Sequence, residues 1–147
     1  MKFKFLVPAV GGIIIIISFI IFTDKGFQTK PYLIINNLKV TVEISQDQTM
    51  GLANRVFLKE NNGMLFAYPP KTDVTFWMKG MRFPLDFIWI SNNKVIATTE
   101  NIQPPTNNER PAVVNPPEPI DHVLEVNAGF VKKHQIKIND QVSYFLD

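Results

Sequence analysis

Three carboxylates are set in apolar runs: Glu43 between Val42 and Ile44, Asp86 between Leu85 and Phe87, and Glu125 between Leu124 and Val126. A carboxyl carried inside by such a run needs a cation, several hydrogen-bond donors, or a retained proton. Arg55 is the natural cation, because a planar guanidinium grips a carboxylate at two points. Three arrangements follow. Arg55 and one or two of the acids form a structural ion pair that fastens a helix to a sheet. Alternatively, Asp86 and Glu125 sit at a pocket mouth in unequal environments, one charged and one protonated, and act as general acid and base. That chemistry requires the two carboxyls to converge within about 10 Å across a cleft. In the third arrangement the acids bind a ligand without reaction.

Trp77 and Lys79 are the next candidates. Along a strand, Phe76 and Met78 share one face and Trp77 and Lys79 the other. A tryptophan beside a lysine offers a platform for a sugar or peptide with an ammonium to hold an anionic group. The plainer reading places Trp77 in the core with its Phe and Met neighbours. Glu125, Asn127 and Val123 fall on one strand face, so a pocket reached by Glu125 is open to Asn127 as well. The ligand-binding candidates are therefore Arg55, Trp77, Lys79, Asp86, Glu125 and Asn127.

Other chemistries are disfavoured by residue type. The chain has no cysteine, which excludes disulfides, thiolate nucleophiles and cysteine metal sites. His122 and His134 are its two histidines, too few for a usual zinc site, and no Asp-rich calcium loop is present. The glycines lack the spacing of a phosphate-binding loop, and no serine sits in a nucleophile elbow. No cofactor or metal is expected. The net charge of +2 comes from Lys2 and Lys4; without them 13 basic residues face 13 acidic ones, which argues against a nucleic-acid footprint.

The elements that must position these residues are mostly strands. Residues 38–44 alternate strictly, with Leu38, Val40, Val42 and Ile44 on one side. Asn36-Asn37 turns a hairpin back to residues 32–35. A short helix is expected over residues 50–58, capped by Asp47 or Thr49 and ended by Asn61-Asn62-Gly63. Strands follow at 64–68, stopped by Pro69-Pro70, and at 74–78; Pro84 then turns the chain into a strand at 85–90. Ser91-Asn92-Asn93 joins that strand to one at 94–101. Residues 103–119 hold six of the 11 prolines and read as a long, partly stiff loop that covers a pocket or is tied to the surface. A strand at 122–127, a helical turn at 129–134 and a strand at 141–146 complete the chain. The fold class is mainly β with short helices (α+β), a small twisted barrel or sandwich of one domain over residues 31–147.

Residues 5–22 carry no charge, and as a helix they would cover about 27 Å, close to the hydrocarbon thickness of a bilayer. Lys2 and Lys4 before them favour a cytoplasmic N-terminus. The run ends Ile20-Ile21-Phe22-Thr23-Asp24 without the small residues of a cleavage site, so an uncleaved anchor at 1–23 is preferred to a removed signal peptide. Residues 24–30 form a linker. The expected placement is single-pass in the cell membrane with the β domain extracytoplasmic.

Five short segments, in this order, resemble a known family: Met50-Gly51-Leu52 with Arg55, Gly63-Met64-Leu65-Phe66, Phe76-Trp77-Met78-Lys79, Pro84-Leu85-Asp86, and Leu124-Glu125-Val126-Asn127-Ala128-Gly129. The chain is similar to the prokaryotic family called domain of unknown function 192 over roughly residues 38–146. The resemblance implies a small β-rich, often exported domain and no particular reaction. The family's third segment often continues with Asn and Thr, where this chain has Gly80-Met81. The expected function is an extracytoplasmic module binding an envelope component, peptide or protein partner. The alternative is a small envelope hydrolase or transferase using Asp86 and Glu125.

Overall fold

The alternating and fully apolar runs become strands in a computed structural model, which describes residues 29–47, 49–107 and 109–146. The expected anchor at 1–23, and the linker up to residue 28, lie outside the described residues. Among those described, no helix is long and apolar enough to cross a membrane.

The elements in chain order are β1 (Tyr32–Ile35), β2 (Leu38–Ile44), β3 (Asn62–Thr72), β4 (Phe76–Trp77), β5 (Leu85–Ser91), β6 (Lys94–Ile102), β7 (Val113–Val114), β8 (Ile120–Asn127), α1 (Phe130–His134) and β9 (Val142–Phe145). Seven strands form one sheet in the order β6-β5-β8-β3-β2-β1-β9, and β4 and β7 form a separate ribbon. β2 and β3 run parallel, while the other neighbours in the sheet are antiparallel. The two tight hairpins use asparagines in the left-handed conformation: Asn36 at φ 53°, and Asn92 and Asn93 at 51° and 60°. Those values match the twist that a two-residue connection must share with its strands.

The sheet curls into a half-barrel. Its two edges meet at one corner, where Lys94 bridges Gln141, the Val95 N–H donates to the Asp140 carbonyl (3.0 Å) and the Val142 N–H donates to the Asn93 carbonyl (2.8 Å). Val95 and Val142, from the meeting edges, share one core cluster with Leu33, Val40, Leu65, Ile88 and Leu124, which marks the concave side. Phe130, Val131 and Ile136, in and just after α1, close that core. The outer face of β3, β5 and β8 carries a second core with Phe66, Phe87, Trp89 and Val123, covered by Leu52, Leu58, Phe76 and Met78. β5 is buried along its whole length because both of its faces are covered. Full burial of a side chain such as Phe66 or Phe87 stabilises by about 1.5–3 kcal/mol. The indole N–H of Trp89 is not stranded, since it donates to Thr99 Oγ1 at 2.9 Å.

Three local expectations are corrected. Residues 50–58 form successive turns rather than a helix, because Gly51 and Asn54 take positive φ (47° and 65°), and the Asn54 N–H leaves the segment to donate to the Gly80 carbonyl at 2.8 Å. Pro69-Pro70 do not stop β3, which continues to Thr72 through a register shift. The expected strand at 74–78 shortens to two residues. Its partner is β7, two residues inside the Pro-rich segment expected to be a loop.

Candidate functional site

Glu125 lies on β8 opposite Met64 of β3 and Phe87 of β5, in the row that faces the outer core. The residue is 5% exposed, and its Oε2 has no hydrogen-bond partner among the described residues. Burial pushes its carboxyl up to about 8, so Glu125 keeps its proton at neutral pH. Burial, with the nearby Glu125 charge, also pushes the Tyr68 phenol up to about 12. An unpaired buried polar atom costs about 1–3 kcal/mol, a penalty that folding alone gives no reason to keep.

The carboxyl lines a narrow pocket of about 40 Å³ whose walls include Gly51, Phe66, Phe76 and Met81. That volume holds one to a few water-sized groups. Met50, Trp77 and Lys79 line this pocket and also a shallower groove of about 330 Å³ that includes Asn54 and Gly80. The site thus has two tiers, with an acid in the narrow part and an aromatic residue and a cation shared with the open groove.

Gly51 sets the width of the narrow tier. Its φ of 47° favours glycine, and an added Cβ would stand 3.0 Å from the Phe66 ring and 3.5 Å from Glu125 Oε2. Gly63 allows β3 to approach β8 closely, since a Cβ there would lie 2.9 Å from the Glu125 carbonyl oxygen. Trp77 is 52% exposed, so it is a surface platform and not a core residue, while Phe76 and Met78 on the opposite face are buried. Lys79 Nζ lies 4.9 Å from the Trp77 ring centroid, a cation–π contact. The Pro-rich segment does not line the pocket. It braces the platform through Val113 opposite Trp77, the Met78 N–H donating to the Ala112 carbonyl (2.9 Å), and Thr75 Oγ1 donating to Asn115 Oδ1 (2.8 Å).

The remaining sequence candidates lie elsewhere. Asp86 opposes Val126, one register position from the Phe87–Glu125 pair, and so faces the concave core while Glu125 faces the outer one. Asp86 is fully buried, and each oxygen is satisfied: Oδ1 accepts from the Asn101 N–H (2.7 Å) and Oδ2 from the Val131 N–H (3.0 Å). It anchors α1 to the sheet, and the expected Asp86–Glu125 acid–base pair is not assembled. Arg55 reaches neither Asp86 nor Glu125; of the three acids it pairs with Glu43, at two points, 2.8 and 2.6 Å, on the surface, as the expected structural ion pair. That contact fastens a turn segment, rather than a helix, to β2. Asn127 donates its amide to the Leu58 carbonyl (2.9 Å) and lines a different depression beside Glu60 and Phe130.

Comparison with known proteins agrees with this architecture. The family model of DUF192, described as an uncharacterized ACR family, matches residues 34–144. The chain belongs to the DUF192 family. Two solved structures are similar to this DUF192 chain. One is a Novosphingobium aromaticivorans DSM 12444 protein of unknown function, with TM-score 0.68 and 28% identity over 77% of this chain and 83% of that one. The other, from Sinorhizobium meliloti 1021, is provisionally described as a transcription regulator, with TM-score 0.64 and 29% identity over 78% of this chain and 91% of that one. No curated protein matches.

Four of the five segments that carry the DUF192 resemblance meet at the narrow pocket, through Gly51, Phe66, Trp77 and Glu125. The fifth contributes Asp86, the anchor of α1. Sequence reasoning missed Gly51, Phe66, Phe76 and Met81 as pocket walls, although the first three lie within the family segments. Nothing local marks Met81.

Proposed function

We propose that this DUF192 chain is a ligand-binding module of the cell envelope, held to the membrane by residues 1–23 with the β domain on the extracytoplasmic side. Its binding site is the Glu125 pocket with Trp77 and Lys79 at the mouth. The observation that carries the site is the Glu125 carboxyl, buried and without a partner at Oε2 among the described residues, in a pocket it shares with Trp77 and Lys79, two of the other candidates named from sequence. A group kept at a stability cost in a concave site is the pattern expected of ligand recognition. The uncharged run at 5–22 with its preceding lysines supports the anchor.

The paired-carboxylate hydrolase or transferase is not carried forward, because the sheet lies between Asp86 and Glu125. A role in transcription, as described for the Sinorhizobium protein, finds no support in charge: apart from Lys2 and Lys4 the chain is formally neutral, and nucleic-acid binding needs clustered cations.

A fragment screen on the full-length chain, read by amide chemical shifts, tests the site. Binders should move Gly51, Phe66 and Glu125, and Trp77→Ala should weaken them at least tenfold with the fold intact. Shifts confined to other surfaces sink the pocket reading. Extraction of the full-length chain from cell membranes by alkaline carbonate, without detergent, sinks the anchor.

A further inference from the structure

We infer that the pocket admits an unbranched primary ammonium on a ligand that also carries an anionic group, with the ammonium against Glu125 and the anion against Lys79. This rests on the pocket reading above and names the chemistry of its occupant.

Four observations point this way. The narrow tier is walled by Phe66, Phe76 and Met81, uncharged side chains that offer an anion no hydrogen-bond donor. Its acid, Glu125, has an oxygen free to accept a hydrogen bond. Its volume of about 40 Å³ suits a head group the size of an ammonium on a linear stem and excludes a ring or a branched head. Lys79, shared with the wider groove, forms no ion pair with any described residue. It would repel a bare cation, so the ligand's own anion must offset it.

The charges around Glu125 are few. β3 contributes the Tyr68 phenol and the residues after β4 contribute Lys79; the pocket residues from the 49–53 turns are Thr49, Met50, Gly51, Leu52 and Ala53, none of which titrates. Phe87 is the facing residue on β5, Asp86 is behind the sheet, and Arg55 is held by Glu43. An entering ammonium therefore displaces a single proton, from the Glu125 carboxyl to solvent. With the carboxyl at about 8, ionising it at pH 7 weakens binding about tenfold relative to pH well above 8.

The test is titration calorimetry on the full-length chain with 6-aminohexanoate, 6-hydroxyhexanoate and hexylamine, alongside amide shifts. We expect 6-aminohexanoate to bind with close to one proton released at pH 6, its affinity rising up to tenfold per pH unit and levelling off above about pH 8. The hydroxyl analogue should bind at least tenfold more weakly at pH 8. Glu125→Gln, which resembles the protonated acid in shape, should fold normally and lose both the amine preference and the pH dependence. Lys79→Ala should bring 6-aminohexanoate down to the affinity of hexylamine. Affinity that is flat or falls with pH, a hydroxyl analogue that binds as well, or no binding of the amine overturns the inference. Failure of the pocket reading looks different: no fragment of any charge would then move the Gly51 and Glu125 resonances.

Discussion

Asp86 and Glu125 lie one register position apart on adjacent strands, and their carboxyls point to opposite faces of the same sheet. Both are buried, yet they differ in partners: Asp86 accepts two backbone N–H groups, whereas Glu125 Oε2 accepts none from the described residues. The contrast separates a group that builds the fold from one that the fold carries at a cost.

The first consequence is a pH dependence of stability. The Glu125 carboxyl is raised from 4.5 to about 8, so between those values the folded chain holds a proton that the unfolded chain has released. Stability should therefore fall as pH rises through that window, by at most about 1.4 kcal/mol per pH unit. Glu43 and Glu60, held low by Arg55 and Lys133, act in the opposite sense and only under more acid conditions. Urea midpoints at pH 5, 6, 7 and 8 should slope downward for the wild type and much less for Glu125→Gln. Equal slopes contradict the burial argument.

Asp86→Ala should be strongly destabilising, because it strands the N–H of Val131 in the core and that of Asn101 at its half-buried margin. Each orphaned donor costs about 1–3 kcal/mol. Asp86→Asn keeps one acceptor and should cost less. Hydrogen exchange at Asn101 and Val131 should accelerate in both variants, and a protein that keeps wild-type stability as Asp86→Ala would refute the anchoring role.

Arg55→Ala should be mild. The pair with Glu43 is well formed, but the two side chains are 36% and 51% exposed, and such pairs contribute about 0–1 kcal/mol. A double-mutant cycle with Glu43→Gln should return a coupling within that range, shrinking in salt. Coupling well above 2 kcal/mol would mean that the pair organises more than the 49–58 turns.

Gly51→Ala combines backbone strain with a contact 3.0 Å from the Phe66 ring, whereas Gly129, at φ 84°, has nothing within 4 Å of an added Cβ. Left-handed backbone costs a non-glycine residue about 1–2 kcal/mol at either site. The excess destabilisation of Gly51→Ala over Gly129→Ala therefore measures the steric term, and only the former should weaken binding at the Glu125 pocket. Equal losses would show that Gly51 is needed for its φ alone.

Much of the fold was legible in local pattern. Period-two alternation marked β2, paired asparagines marked both hairpins, and alternation set Phe76 and Met78 on one face and Trp77 on the other, though not which face is buried. Residues 50–58 were misread because their spacing resembles a helix while Gly51 and Asn54 prefer left-handed turns. Arg55 takes Glu43 of the three candidate acids, a choice that chain position leaves open because it says which side chains can pair, not which come within reach.

What the sequence determined by itself is the class of structure, the absence of cysteine chemistry, the apolar N-terminal run and the list of acids that had to be explained. Strand periodicity and composition are local, and they survive any arrangement of the strands. Which acid is satisfied was decided only by tertiary structure. A bulge near the end of β6 aims the Asn101 N–H at Asp86. The first turn of α1 supplies the Val131 N–H. On the other face, turns from residues 49–58 and the β4 ribbon close over Glu125 without offering it a donor. Those partners are 15 to 45 residues away along the chain, and long-range register alone brings them together.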